Sequence, residues 1–181
     1  YGIGLEADLS EDLAPNLPGF RDSGPVRRGN QAAEHVQHDV YGQVVLGVSQ
    51  SFFDRRLLAQ PGIAEFEQLE PVGERAFAVY DTPDAGIWEF RTIAHVHTSS
   101  AIMCWAACDR LSRIAERLGL DNREAYWRER ADIIHETILE KAWNDEVKAF
   151  TAAFGGTDLD ASVLLMAEIG FLPASDSRYI S

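Results

Sequence analysis

Apolar residues recur along this chain at helical spacing, in blocks separated by stretches where the spacing is lost. The first block predicts a helix from Asn30, a good N-cap, to about Leu58. Its stripe is Ala33, Val36, Val40, Val44, Leu46 or Gly47, Val48 and Phe52. A second helix is predicted from Gly62 to about Tyr80, with Phe66, Leu69, Val72, Ala76, Phe77 and Tyr80 on its apolar face. Pro71 should kink that helix or mark its true start, because proline lacks the donor a helix interior needs. A third helix is predicted from Ser99 or Ser100 to Gly119, carrying Met103, Ala106 or Ala107, Leu111, Ile114 and Leu118.

Asp121 is read as the cap of a fourth helix running to about Trp143, apolar at Tyr126, Trp127, Ile133, Ile134, Ile138 and Leu139. The segment VKAFTAAFGG then alternates loosely and reads as a turn or a short extended piece. Asp158 precedes a nearly all-apolar run, Leu159 to Phe171, which predicts a fifth helix buried on most sides and stopped by Pro173. The class is all-α. Uneven loop lengths fit a helical barrel with its loops gathered at one mouth, and equally an irregular bundle. No fixed-period repeat points to a solenoid.

Residues 1–30 carry eight glycines and prolines, too many for a long element. Tyr1, Leu5, Leu9, Leu13, Leu17 and Phe20 could anchor them to a surface, so they are read as an ordered covering loop. Residues 31–181 are then the helices and their connections, and the whole is read as one domain.

Charge narrows the choice of partner. With 16 basic and 29 acidic side chains the net charge is −13, which makes nucleic acid or an anionic membrane an unsuitable partner and leaves neutral sugars open. No apolar run approaches the roughly 20 residues of a membrane span. Cys104 and Cys108 stack one turn apart on one helix face as buried thiols, so no disulfide framework is expected. A cytoplasmic location is the expectation.

The chemistry gathers in PDAGIWEFR, residues 83–91, between the second and third helices. Pro83 and Gly86 break helical continuity, which makes the segment a loop. It carries Trp88, Glu89 and Arg91: a flat ring, a carboxyl and a guanidinium. A carboxyl desolvated beside an indole suits proton donation near neutral pH. The plain alternative is a surface turn with one buried tryptophan. His38 and Asp39, with His35 one turn back, raise the question of a metal, but the donors at i and i+3 lack a clear third ligand, and satisfied cavity or surface histidines are the better reading. His95 and His97 alternate on the approach to the third helix, as strand-like cavity groups or as ordinary loop histidines.

Four stretches together resemble the catalytic domain of glycoside hydrolase family 15, the family of glucoamylases, glucodextranases and bacterial trehalases. They are LPGFRDSGPVRRGNQAAEHVQHDVYGQV (17–44), PDAGIWEFR (83–91), MCWAACDRLSRIAERLG (103–119) and FGGTDLDASVLLMAEIGFLPASDSR (154–178). The resemblance implies part of a barrel of six outer and six inner helices, about half of it present. It implies an inverting, exo-acting α-glucoside hydrolase that needs no metal or cofactor. Glu89 would correspond to the general acid, and Trp88, Arg91, Arg27 and Asn30 would line the sugar site.

The chain also departs from the family pattern. His35 stands where a glutamine is common, and Gln43 where a glutamate is common. Ser99 and Ala101 replace a tyrosine or histidine and a lysine, which removes a cationic donor from the cavity wall. The family's N-terminal β-domain, its earlier arginine–aspartate motif and its late catalytic base have no counterpart here. An internal fragment is therefore expected, inactive alone and prone to self-association through uncovered barrel flanks. The other reading is a non-catalytic helical module, binding carbohydrate or a protein, derived from the same fold.

Overall fold

The structure is a computed structural model that describes residues 3–6, 8–56, 59–90 and 92–180. Four long helices make the body: α1 (Asp39–Phe53), α2 (Ile63–Val79), α3 (Thr98–Leu118) and α4 (Asp121–Lys141). Among the described residues, the strands form two short ladders. One pairs β1 (Asp12–Leu13) with β2 (Arg27–Arg28), and the other pairs β3 (Trp143–Asn144) with β4 (Ala149–Phe150), both antiparallel. Two single-turn helices follow, α5 (Leu165–Glu168) and α6 (Ser177–Ile180). Among the described residues no helix is long and apolar enough to cross a membrane.

Helix α3 is the centre of the fold and packs on α1, α2 and α4. Every residue from Thr98 to Asp109 is buried, because small side chains such as Ala101, Ala106 and Ala107 let helices close in from several sides. The helix ends where Gly119 adopts a left-handed conformation, φ 71°, and its N–H returns to the carbonyls of Ala115 and Glu116. Its N-cap is His97 rather than Ser99 or Ser100, since Ser100 gives its hydroxyl to Asp84. Helix α4 likewise begins one residue past its cap, Leu120.

The first helix departs most from the sequence expectation. Asn30 does cap, accepting the Ala32 N–H at 3.0 Å, but only over a 3₁₀ turn, Gln31–Glu34. His35 then turns extended, and α1 starts at Asp39. It ends at Phe53, where the Asp54 N–H closes on the Gln50 carbonyl, short of the expected end near Leu58. The buried face is Gly42, Val45, Ser49 and Phe52, whereas Val40, Val44 and Val48 stand in solvent. Gly42 sets that rotation. A Cβ there would lie 2.2 Å from the Met103 carbonyl oxygen, so only glycine lets α1 approach the α3 backbone. Gly42→Ala in the full-length protein is expected to cost about 1–3 kcal/mol as the helices separate, seen as a lower thermal midpoint.

Helix α2 continues through Pro71, which does not mark its start. The expected fifth helix is absent. Asp160, not Asp158, caps a 3₁₀ turn, Ala161–Leu164, and one α-turn follows before Gly170 (φ 79°) closes it with Phe171 N–H on the Met166 carbonyl. Leu159 and Leu164 are exposed as a result. In the N-terminal segment Leu5, Leu13, Leu17 and Phe20 are exposed rather than anchored. That segment closes on itself instead, through the β1–β2 ladder and the Arg27–Glu11 and Arg28–Asp12 ion pairs.

Candidate active site

The loop 80–97 is tied at its root by Asp84. This carboxylate is 2% exposed, and its Oδ2 accepts both the His38 N–H (2.8 Å) and the Ser100 hydroxyl (2.8 Å). His38 is the N-cap of α1 and Ser100 lies in the first turn of α3. One buried oxygen therefore joins two helix starts to the loop, and the positive ends of both helices favour the charge. Asp84 also pairs in its backbone with His95, so the two limbs of the loop meet above this point. His38 completes the root, its Nε2 sharing a hydrogen bond with Thr82 Oγ1 at 2.9 Å.

Beyond Asp84 the chain is held step by step. Ala85 N–H donates to the Val36 carbonyl at 2.8 Å, and Gln37 Nε2 donates to the Gly86 carbonyl at 3.2 Å. Gly86 (φ 63°) turns left-handed with the His97 ring packed where a side chain would be. Glu89 N–H reaches back to the same Gly86 carbonyl, 3.2 Å, and Glu89 itself has φ 53°. A left-handed non-glycine residue at the tip of a fastened turn is a mark of functional sites.

That turn presents Trp88 and Glu89 outward. Trp88 is 57% exposed, and its indole N–H donates to Asp160 Oδ2 at 2.8 Å, which fixes the ring as an open platform. Asp160 Oδ1 meanwhile accepts the Ser162 N–H at 2.7 Å. Burial pushes the Asp160 carboxyl up, but the bonds from Ser162 and Trp88 outweigh it and hold it below the usual carboxylate range. The sequence reading of a carboxyl buried beside the indole is not what forms: Glu89 is exposed.

Two clefts flank the turn, and Phe90 and Ile93 line both as the ridge between them. The larger, about 520 Å³, is walled by His95, His97, Phe154 and Asp160. Its size falls in the range of small-ligand pockets. Of the two readings of His95 and His97 the strand-like one forms, with His95 bridged to Asp84 and His97 to Ala153. The smaller, about 350 Å³, is bounded by Glu34, His35 and Asp84. Asp39, half-buried at the first position of α1, is raised above the usual carboxylate range by burial and then by the nearby Asp84 charge. A weaker contribution comes from Glu89, which places three carboxyls in one electrostatic neighbourhood.

The other sequence candidates are less closely gathered. Arg27 is exposed and spends its guanidinium on Glu11, and Asn30 caps its 3₁₀ turn. No hydrogen bond joins either to Trp88 or Glu89 among the described residues. Arg91 lies outside the described residues. Ser99 and Ala101 are buried in α3, so these two departures from the family pattern belong to the core here, whereas His35 lines the smaller cleft and Gln43 is exposed. Gln37, Asp84 and Asp160 were not singled out as site residues from sequence. The only signal for Gln37 was its place among the polar groups preceding α1.

The trehalase of Mycobacterium tuberculosis is 39% identical over 98% of this chain and 26% of its own length. The trehalase of Mycolicibacterium smegmatis is 37% identical over 98% of the chain and 26% of its own length. That of Thermoplasma volcanium is 31% identical over 99% and 28%. The chain thus spans about a quarter of the length of these relatives. No solved structure gives a significant match. The family model for glycosyl hydrolases family 15 matches residues 6–180, and the chain belongs to that family.

Proposed function

We propose that this chain supplies the general-acid side of an active site that hydrolyses an α-glucoside with inversion, and that the substrate is trehalose. The observation that carries this reading is the Trp88–Glu89 turn. It holds an exposed carboxyl beside a ring anchored to Asp160, at the edge of a cleft large enough for a sugar. The indole face can take the apolar face of a pyranose ring. Glu89 protonates the glycosidic oxygen as that bond breaks, while a second carboxylate draws a proton from water on the opposite face. Inverting geometry separates the two carboxyls by roughly 6.5–9.5 Å, leaving room for the water. The choice of trehalose over other α-glucosides rests on the names of the relatives.

Stereochemistry tests the mechanism. In trehalose both anomeric carbons are α. Water attacking one of them from behind releases that glucose as β, and the leaving glucose departs as α. Proton NMR of fresh product from the full-length protein is therefore expected to show equal α- and β-glucose before mutarotation. Initial α-glucose alone would mean retention and overturn the mechanism. Failure to cleave trehalose while cleaving maltose would overturn the substrate.

A further inference from the structure

We propose that Gln37 is a positioning residue for the general acid, a role that rests on the reading of Glu89 given above. The Gly86 carbonyl is a shared acceptor. It receives the Gln37 side-chain amide from one side and the Glu89 backbone N–H from the other, each at 3.2 Å. The second of these bonds closes the turn that sets the Glu89 backbone, and the first fixes the oxygen on which the turn closes. Among the described residues, Gln37 is the one side chain outside the loop that bonds the backbone between Gly86 and Glu89.

The placement of Gln37 is itself fixed. Val36 before it accepts Ala85 N–H at 2.8 Å, and His38 after it donates to buried Asp84. The amide thus hangs from a segment tied to the loop root, and it reaches two residues beyond that root. Glu89 sits at φ 53°, a conformation that an unrestrained glutamate leaves readily for φ below zero. Without the Gln37 donor the Gly86 peptide is free to rotate, and the carboxyl no longer dwells at one distance from the glycosidic oxygen. Proton transfer is sensitive to such displacement, with losses of about 10²-fold for roughly 1 Å.

The role makes a specific kinetic demand. A misplaced acid slows cleavage of bonds whose leaving group needs a proton and spares those whose leaving group does not. In the full-length protein, Gln37→Met keeps the side-chain length and removes the donor. It is expected to lower kcat on trehalose by about 10–10²-fold with KM little changed, and to lower kcat on 4-nitrophenyl α-glucoside by about 3-fold or less. Equal losses on both substrates, or none on either, would overturn the inference. Should Gln37→Met fail to fold, Gln37→Glu gives the same ratio, since its carboxylate faces the Gly86 carbonyl without a donor. Glu89→Gln is run beside them. If it shows no leaving-group dependence, the assignment of Glu89 as acid fails. If it does and the Gln37 variants do not, only the present inference fails.

Discussion

Glu89→Gln in the full-length protein is expected to lower kcat on trehalose by about 10²–10⁴-fold, the share usually supplied by a positioned general acid. The substitution keeps shape and polarity and removes the proton. Glu89 contributes to its turn through its backbone N–H, and the Trp88 platform is held by Asp160, so neither depends on the carboxyl. KM should therefore change little, and an aryl α-glucoside with a good leaving group should keep much of its rate. Steady-state kinetics on the two substrates decides it. Near-normal turnover of trehalose by the variant would remove Glu89 from the mechanism.

The fold class was legible because helical spacing is a local property. Helices α2, α3 and α4 begin and end within two residues of the positions that apolar periodicity and Gly119 predict. What the sequence did not convey was which side of α1 faces inward. Val36, Val40, Val44 and Val48 make as regular a stripe as Val45, Ser49 and Phe52, and hydrophobicity alone prefers the valines. The contest is decided at Gly42, where absence of a side chain permits contact with the Met103 carbonyl. The fifth helix failed for a similar reason. Asp160 is recruited by Ser162 and by Trp88, 72 residues away in sequence, and the chain before it is committed to loop.

At the candidate site, residue types predicted the loop but not the environment it takes up. Trp88 next to Glu89 suggested burial of the pair, yet the indole turns its N–H to Asp160 and the carboxyl faces solvent. Gln37, Asp84 and Asp160 act through bonds to segments distant in sequence, and no spacing rule exposes such a bond. Arg27 and Asn30 came from family resemblance, and here each spends its polar group locally.

Expressed alone, residues 1–181 are expected to release no glucose from trehalose and to self-associate. Inverting hydrolysis needs an ionised carboxylate free to take a proton from water across the ring. Asp84 has one oxygen bound by two donors and is shut from solvent, and Asp160 is engaged by Trp88 and Ser162. Asp39 lies near Asp84, and its carboxyl is raised above the usual range by burial and then by the Asp84 charge. Meanwhile Val40, Val44 and Val48 lie one turn apart on the outer face of α1, 46%, 43% and 39% exposed. A continuous apolar stripe of this kind favours association when nothing covers it. Light scattering should give a mass above that of one chain, and Val44→Glu should lower it by placing a charge mid-stripe. A compact monomer that liberates glucose at rates of about 1 per second or more would overturn both halves. Asp39, the remaining carboxyl with an unpartnered oxygen near Glu89, would then be the base to test.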